Sequence, residues 1–342
     1  MTIHEALVKL FDGGDLEAAE MSAVMQELMT GQCTDTQIGA LLAALRMKGE
    51  TVDEVAGAAQ VMRQLAAGVS VAEPMAIDIV GTGGDASHTF NVSTCCSIVA
   101  AAAGIKVAKH GNRSVSSKSG AADLLESAGV NISLGPEQVS QCIEQVGVGF
   151  MFAPQHHSAM KHAINQRREM GVRTIFNLLG PLTNPAGVKR QLLGVYGKEW
   201  VRPVADVLNK LGSEHVLVVH GDNGMDEISI CDTTTVAELK DGGVTEYTLD
   251  PGQFGIELQP LAEIQVADSE ESLTMIQSVL DNNDSAALDI VRLNSGAAIY
   301  IGGGAKDIGE GVERATETIA SGAAKETLAR LVAVTQSFGE ST

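Results

Sequence analysis

Apolar residues near the N-terminus recur at intervals of three and four, the period of an amphipathic helix. Ile3, Ala6, Leu7, Leu10 and Phe11 hold that spacing up to Gly13-Gly14, and Val24, Met25, Leu28 and Met29 hold it up to Gly31. Thr34 with Gln37 and Thr51 with Glu54 form capping boxes that open two further helices, which Gly49 and Gly68 are placed to close. Nothing in this segment looks like a catalytic centre. Several apolar stripes on so small a helical unit predict that it packs against a larger domain or a second copy of itself.

From about residue 75 the period changes. Short apolar runs at 77–80, 105–108, 149–152, 192–195 and 215–220 read as strands, alternating with helical patterns at 93–103, 121–127, 136–146 and 200–211. Gly104, Gly129, Gly147 and Gly212 stand where those helices should end. This alternation predicts an α/β domain. Residues 228–254 are richer in Thr and Val, with Gly242-Gly243 at a turn, and predict a local antiparallel hairpin. Helical pattern returns from Ser269 to the end, and no internal repeat or low-complexity linker interrupts the chain.

A length of 342 residues suggests roughly two domains, and 44% apolar residues are ample for a sizeable core. The formal charge of -20 opposes non-specific attraction to nucleic acid or to an anionic membrane. The N-terminus lacks a basic and an apolar leader region, and the apolar run near 98–103 is far too short to span a bilayer, so the cytoplasm is the expected compartment. Cys33, Cys95, Cys96, Cys142 and Cys231 form an odd set without metal-type spacing, which predicts reduced, mostly buried thiols.

Against that acidic background, residues 86–122 contain no Asp or Glu but include Lys106, Lys109, Arg113 and Lys118 together with His88 and His110. The window opens just after the apolar run 77–80 breaks into Gly81-Thr82-Gly83-Gly84-Asp85, and it includes Asn91-Val92-Ser93-Thr94 at a helix start. Glycine-freed backbone N–H groups, a helix N-terminus and nearby cations are the parts of a phosphate site. The glycine spacing is neither the dinucleotide fingerprint nor a P-loop, and a tight turn is its plainer reading. Asn91, Ser93 and Thr94 fit simple N-caps, yet a hydroxyl here can also ligate magnesium.

The second candidate, Lys109-His110-Gly111-Asn112-Arg113-Ser114-Val115-Ser116-Ser117, is read as a loop projecting from the carboxyl edge of a strand, where ligands of open α/β sheets collect. Asp226-Glu227 is either surface charge or a magnesium pair beside the anion pocket, with Asp222 as a rival ligand. Arg167-Arg168, on a helix starting near His157, and Arg173 just beyond are a solvated face or a carboxylate clamp. His156, His157 and His162 do not share a helix face and do not fit a zinc site.

These motifs, with Arg173-Thr174-Ile175-Phe176-Asn177-Leu178-Leu179-Gly180-Pro181-Leu182-Thr183-Asn184-Pro185, run in order across most of the chain. On them the sequence resembles the anthranilate phosphoribosyltransferase family of tryptophan biosynthesis. The resemblance implies a small all-helical domain (1–72, with a returning segment at about 160–185) and a larger α/β domain (73–342) with a mostly parallel central sheet, of the nucleoside phosphorylase and phosphoribosyltransferase kind. It implies a homodimer formed through the helical parts. It implies transfer of phosphoribosyl from phosphoribosyl pyrophosphate to anthranilate, supported by Mg²⁺.

Carried over by position, the resemblance puts phosphoribosyl pyrophosphate against Gly81, Gly84, Asp85, Thr89, Asn91, Val92, Ser93, Thr94, the stretch Lys109, His110, Gly111, Asn112, Arg113, Ser114, Val115, Ser116 and Ser117, and Ala121. Gly81, Asn112 and Arg167 would contact anthranilate, and Ser93, Asp226 and Glu227 would hold the metal. No covalent catalyst is implied; His110 and water stay open as acceptors of the amine proton. A pyrimidine nucleoside phosphorylase would not need the acidic pair, and a nucleic-acid-binding relative should be basic, so both rivals fit less well.

Overall fold

The computed structural model describes residues 1–113 and 119–339. Four helices open the chain: α1 (Ile3–Phe11), α2 (Ala18–Met29), α3 (Asp35–Lys48) and α4 (Val52–Leu65). Reciprocal caps at Thr2 with Glu5, Thr34 with Gln37 and Thr51 with Glu54 satisfy backbone N–H groups that a helix start leaves open. Glu54 is fully buried, but its carboxylate accepts from the Leu16 and Thr51 N–H groups and pairs with Lys48 at 3.1 Å. α4 ends at Leu65, three residues before Gly68, because the Ala67 N–H leaves the helix to bond the His156 carbonyl at 2.8 Å.

The remainder alternates strand and helix: β1 (Ile77–Gly81), α5 (Val92–Ala102), β2 (Val107–Gly111), α6 (Ala121–Ser127), α7 (Pro136–Val146), β3 (Val148–Phe152), α8 (Ala153–His156), α9 (Ile164–Met170), α10 (Ile175–Leu182), β4 (Arg190–Gly194), α11 (Val201–Lys210) and β5 (His215–Gly221). The hairpin β6 (Thr234–Lys240) and β7 (Gly243–Leu249) turns through Asp241 and Gly242, both at positive φ, as a two-residue turn requires. α12 (Ser269–Leu280), α13 (Ala286–Ile301), α14 (Ile308–Ala320) and α15 (Ala323–Ser337) complete the chain.

The seven strands form one sheet in the order β3-β2-β1-β4-β5-β6-β7, parallel from β3 to β5 and antiparallel beyond. From β1 the chain builds outward through β2 and β3, then returns to the other side of β1 with β4 and β5. The carboxyl ends of β1 and β4 therefore flank a topological switch point, where a crevice opens in sheets of this kind.

Side-chain alternation divides the interior. Ile77, Ile79, Leu192, Leu217 and Val219 face one apolar cluster with α5 and α13, while Leu193, Val195, Val216, Val218 and Ala237 face a second. That second cluster runs through α11 and α10 into α1–α4, so the helical unit and one sheet face share a continuous core. Burying a Leu or Val of this kind stabilises by about 1.5–3 kcal/mol, so the shared core resists separation of the two parts.

One difference from the sequence reading bears on the site. The second strand spans Val107–Gly111 rather than 105–108, so Lys109, His110 and Gly111 lie within it, paired with Phe150, Met151 and Phe152 of β3. Their polarity suggested a loop, but in a strand covered on both faces the alternate side chains are buried instead. Lys109 turns toward α5 and His110 toward α10.

Candidate active site

β1 and β4 end on paired glycines, Gly81 and Gly194, and both are required by Asp226. A Cβ on Gly81 would stand 2.3 Å from Asp226 Oδ2, and one on Gly194 would stand 1.4 Å from the Asp226 carbonyl oxygen. The Gly83 N–H donates to Asp226 Oδ2 at 2.7 Å. Thr82 ties the glycine loop to the end of β4, its N–H bonding the Gly194 carbonyl at 2.9 Å and its Oγ1 accepting the Tyr196 N–H at 2.9 Å. Gly83 and Gly84 both adopt positive φ, which the turn off β1 needs.

Three carboxylates meet under this loop. Asp85, Asp226 and Glu227 each offer an oxygen within 4.8 Å of the others, the one such group among the described residues. Burial, reinforced by the Asp85 charge, pushes the Asp226 carboxyl up, and burial with the Asp226 and Asp85 charges pushes Glu227 up further. Glu227 Oε2 is buried without a hydrogen-bond partner. Ser93, Gly194, Asp226, Glu227 and Asn294 line a small cavity with Ile79 and Val80. Clustered hard oxygens with one orphaned acceptor and mutual repulsion are the donor set that a magnesium ion fits. Asp222, the rival ligand, faces away, bonded to Lys198 at 2.9 Å and Thr233 at 2.6 Å.

Lys109 lies beside this cluster rather than on the surface. It is 3% exposed, and its Nζ donates to the Ile79 carbonyl at 2.7 Å and to Ser93 Oγ at 3.3 Å. Burial lowers its pKa, while Asp78 and Glu227 partly restore it.

On the opposite face of β2, His110 packs against His157 with the rings tilted and their centroids 5.1 Å apart. Burial and the neighbouring His157 and His156 push His110 down to about 3. Its backbone N–H is held by Asp78 Oδ1 at 3.1 Å, and Asp78 Oδ2 accepts from Asn184 Nδ2 at 2.7 Å. Burial raises Asp78 to about 6.

The remaining candidates are distributed around this centre. Thr89 bridges to Gln265, which brings the segment after the glycine loop against the stretch before α12. The Asn91 side chain is bonded to Ser119 and to Ser272 Oγ. Ser93 reaches the cavity, whereas Val92 is fully buried and Thr94 is 1% exposed with an unpartnered hydroxyl. Gly111 packs on Phe150 and Ala121 so closely that a Cβ would fall 2.8 Å from the Phe150 ring. Asn112 is exposed and its carbonyl accepts the Ala122 N–H. Arg113 is exposed and paired with Asp123 and Glu126. Ser114, Val115, Ser116 and Ser117 lie outside the described residues.

Arg167 belongs to α9, which begins at Ile164 and not near His157, and stacks on Phe176 at 5.1 Å. The arginine that reaches the glycine loop is Arg173, which donates to the Gly84 carbonyl and lies 4.3 Å over the Tyr196 ring.

Sequence reasoning missed several contributors. Asn294 on α13 donates to the Ile228 carbonyl at 2.8 Å and accepts the Ile228 N–H at 2.9 Å, clamping the residue next to Glu227. Gly194, Tyr196 and Asp78 act in the same indirect way, as does Asn184, which the sequence motif contained without assigning it a role. A buried Asp inside an apolar strand pattern, as in Ile77-Asp78-Ile79, was the one signal available in sequence.

Residues 4–66 match the family model described as glycosyl transferase family, helical bundle domain, and residues 73–325 match that described as glycosyl transferase family, a/b domain. Anthranilate phosphoribosyltransferase of Ectopseudomonas mendocina (strain ymp) is 55% identical over 342 residues, covering 99% of this chain and 98% of that protein. The Thioalkalivibrio sulfidiphilus enzyme of the same name is 56% identical over 337 residues, covering 98% and 100%. Among solved structures, anthranilate phosphoribosyltransferase from Thermus thermophilus matches with a TM-score of 0.92 at 42% identity, over 97% of this chain and 99% of that one. The Saccharomyces cerevisiae enzyme in complex with PRPP and Mg matches at 0.89 with 28% identity over 98% of each chain. With both family models matched and relatives more than half identical over nearly their full length, the chain belongs to the anthranilate phosphoribosyltransferase family.

Proposed function

We propose that this protein transfers the 5-phosphoribosyl group of phosphoribosyl pyrophosphate to the amine of anthranilate, giving N-(5-phosphoribosyl)anthranilate and pyrophosphate in tryptophan biosynthesis. The observation that carries the reading is the meeting of Asp85, Asp226 and Glu227 under a glycine loop at the sheet's switch point. Asp226, Glu227 and Ser93 would hold Mg²⁺, which when bound supplies positive charge against the pyrophosphate oxygens.

The protein's own groups then act by position. Backbone N–H groups of the loop from Gly81 to Asp85 and of the α5 start from Asn91 to Thr94, with Thr89, the stretch of sequence from Lys109 to Ser117 and the backbone at Ala121, would cradle the donor. The amine needs no strong base before it attacks the anomeric carbon. Gly81, Asn112 and Arg167 would orient anthranilate, the arginine through its carboxylate. The amine proton leaves after attack, to His110 or to water; burial and the neighbouring His157 and His156 lower the basicity of His110. Catalysis rests on alignment and electrostatic stabilisation of the leaving pyrophosphate.

The same reading divides the chain into a helical unit over 1–72 with its returning segment at 160–185 and an α/β unit over 73–342. It places the enzyme in the cytoplasm; among the described residues no helix is long and apolar enough to cross a membrane. Two copies would pair through the helical parts, where Val8, Phe11, Met47 and Ile164 are exposed. Mixing the protein with anthranilate, phosphoribosyl pyrophosphate and Mg²⁺ should quench anthranilate fluorescence, with pyrophosphate appearing in equal amount. Unchanged fluorescence with folded protein would overturn the reading.

A further inference from the structure

Residues 86–122 carry cations without acids, and the first carboxylates after that window, Asp123 and Glu126, fold back onto its single arginine. Arg113 Nη1 lies 2.5 Å from Glu126 Oε2 and 2.8 Å from Asp123 Oδ1, and Nη2 lies 2.9 Å from Glu126 Oε1. The guanidinium also rests 5.5 Å over the Phe152 ring. Asp123 has a local task, because its Oδ2 accepts the Gly120 N–H and closes the first turn of α6. Glu126 instead meets the guanidinium with both oxygens, in the fork geometry that a phosphate would also use.

The neighbouring lysines among the described residues are committed elsewhere. Lys106 donates to the Ile143 and Glu144 carbonyls at the end of α7, and Lys109 is buried beneath β1. Arg113, 46% accessible, is thus an exposed cation at the carboxyl end of β2 with two carboxylate partners, the half-buried Asp123 and the more exposed Glu126, 43% accessible. An exposed ion pair of this kind is weak enough to be exchanged.

We propose that Glu126 competes with the donor substrate's pyrophosphate for the Arg113 guanidinium, so that donor binding exchanges one ion pair for another and Glu126 sets donor affinity rather than turnover. This rests on the reading of Arg113 as a donor contact. Glu126 is a positioning residue that acts through Arg113.

The test measures initial rates with varied phosphoribosyl pyrophosphate at saturating anthranilate and Mg²⁺, for wild type, Glu126→Gln, Arg113→Ala and the double variant. Glu126→Gln is expected to lower the donor KM about two- to fivefold with kcat unchanged, the range that breaking an exposed pair allows. The gain should shrink in high salt, which screens such pairs, and should vanish in the Arg113→Ala background, where donor KM is raised. An unchanged or raised KM in Glu126→Gln, with Arg113→Ala still impaired, overturns the competition and leaves the donor assignment standing. A gain that persists without Arg113 also overturns it, because it would report only the general charge field. Normal donor KM in Arg113→Ala removes the assignment itself and the competition with it.

Discussion

Replacing Gly81 with Ala tests whether the β1 end exists to seat the Asp226 carboxylate. Gly81 pairs with Gly194 inside the parallel ladder and its φ is not positive, so alanine fits the backbone and even restricts the unfolded chain. The obstacle is the new methyl, 2.3 Å from Asp226 Oδ2 and 2.9 Å from its Cγ. Ordinary contact begins near 3.4 Å, so the carboxylate must retreat by about 1 Å.

That retreat breaks the 2.7 Å bond from the Gly83 N–H, a charge-assisted interaction worth about 1.5–3 kcal/mol. Offset by the gain in unfolded-state restriction, the net loss of stability should be about 1–2 kcal/mol, visible as a small fall in melting temperature. A displacement of about 1 Å in a charged ligand can cost on the order of 100-fold in turnover, so activity should suffer far more than stability. Turnover measured against Mg²⁺ concentration separates causes: a raised half-saturation reports the displaced carboxylate, whereas a raised anthranilate KM alone reports a lost substrate contact. A folded Gly81→Ala protein with wild-type kcat and wild-type Mg²⁺ titration would refute the reasoning.

Three further outcomes follow from the same geometry. Asn294→Ala leaves the buried N–H and C=O of Ile228 unpaired, so chemical denaturation should show a loss of about 2–4 kcal/mol together with a higher Mg²⁺ requirement; a stable variant with unchanged Mg²⁺ response would show that the clamp is dispensable. Glu227→Gln relieves repulsion among three carboxylates, and should melt above wild type in metal-free buffer while losing most turnover; a lower melting temperature would mean that the carboxylates do not strain the fold. His110 has a folded pKa near 3, below its unfolded value of about 6.5, so the unfolded chain binds the extra proton and stability present above pH 6.5 is lost as pH falls through that window. Between pH 7.5 and 5, urea denaturation of wild type should therefore show about 2 kcal/mol more loss than His110→Gln, and equal losses would refute a buried neutral ring.

The element types were largely legible because each follows from local physics. Thr34 and Thr51 announce their helices through short-range caps, and the hairpin after residue 228 follows from a turn that needs positive φ. The glycine loop was legible too, since a strand that breaks into Gly81-Thr82-Gly83-Gly84 has few other uses. Lys109 and His110 were misplaced because polarity normally marks a surface, and only the pairing of β2 between β1 and β3 shows that both are enclosed. Asp226 could be separated from Asp222 only in space, by Gly81 and Gly194, which stand 145 and 32 residues away in sequence. Asn294 was invisible for the same reason: one asparagine on a long helix gains meaning only from the Ile228 backbone it meets.

The charge pattern connects these observations. A protein of formal charge -20 should repel a pyrophosphate, and three clustered carboxylates beside the glycine loop should make matters worse. They are instead the reason the site can work, because Asp226 and Glu227, which burial and mutual repulsion make hard to ionise on their own, gain most from a divalent cation, and the cation reverses the local sign. The long-range field is screened within about 8 Å at physiological salt, so the capture of a polyanion is decided inside the crevice. Within it, the Lys109 charge acts on Glu227 from beside Ser93, while the acid-free stretch from 86 to 122 keeps competing charge away until Asp123 and Glu126. Removing Lys109 should therefore disturb the metal carboxylates as much as the substrate, which separates it from Arg113, whose loss should be felt at the donor alone.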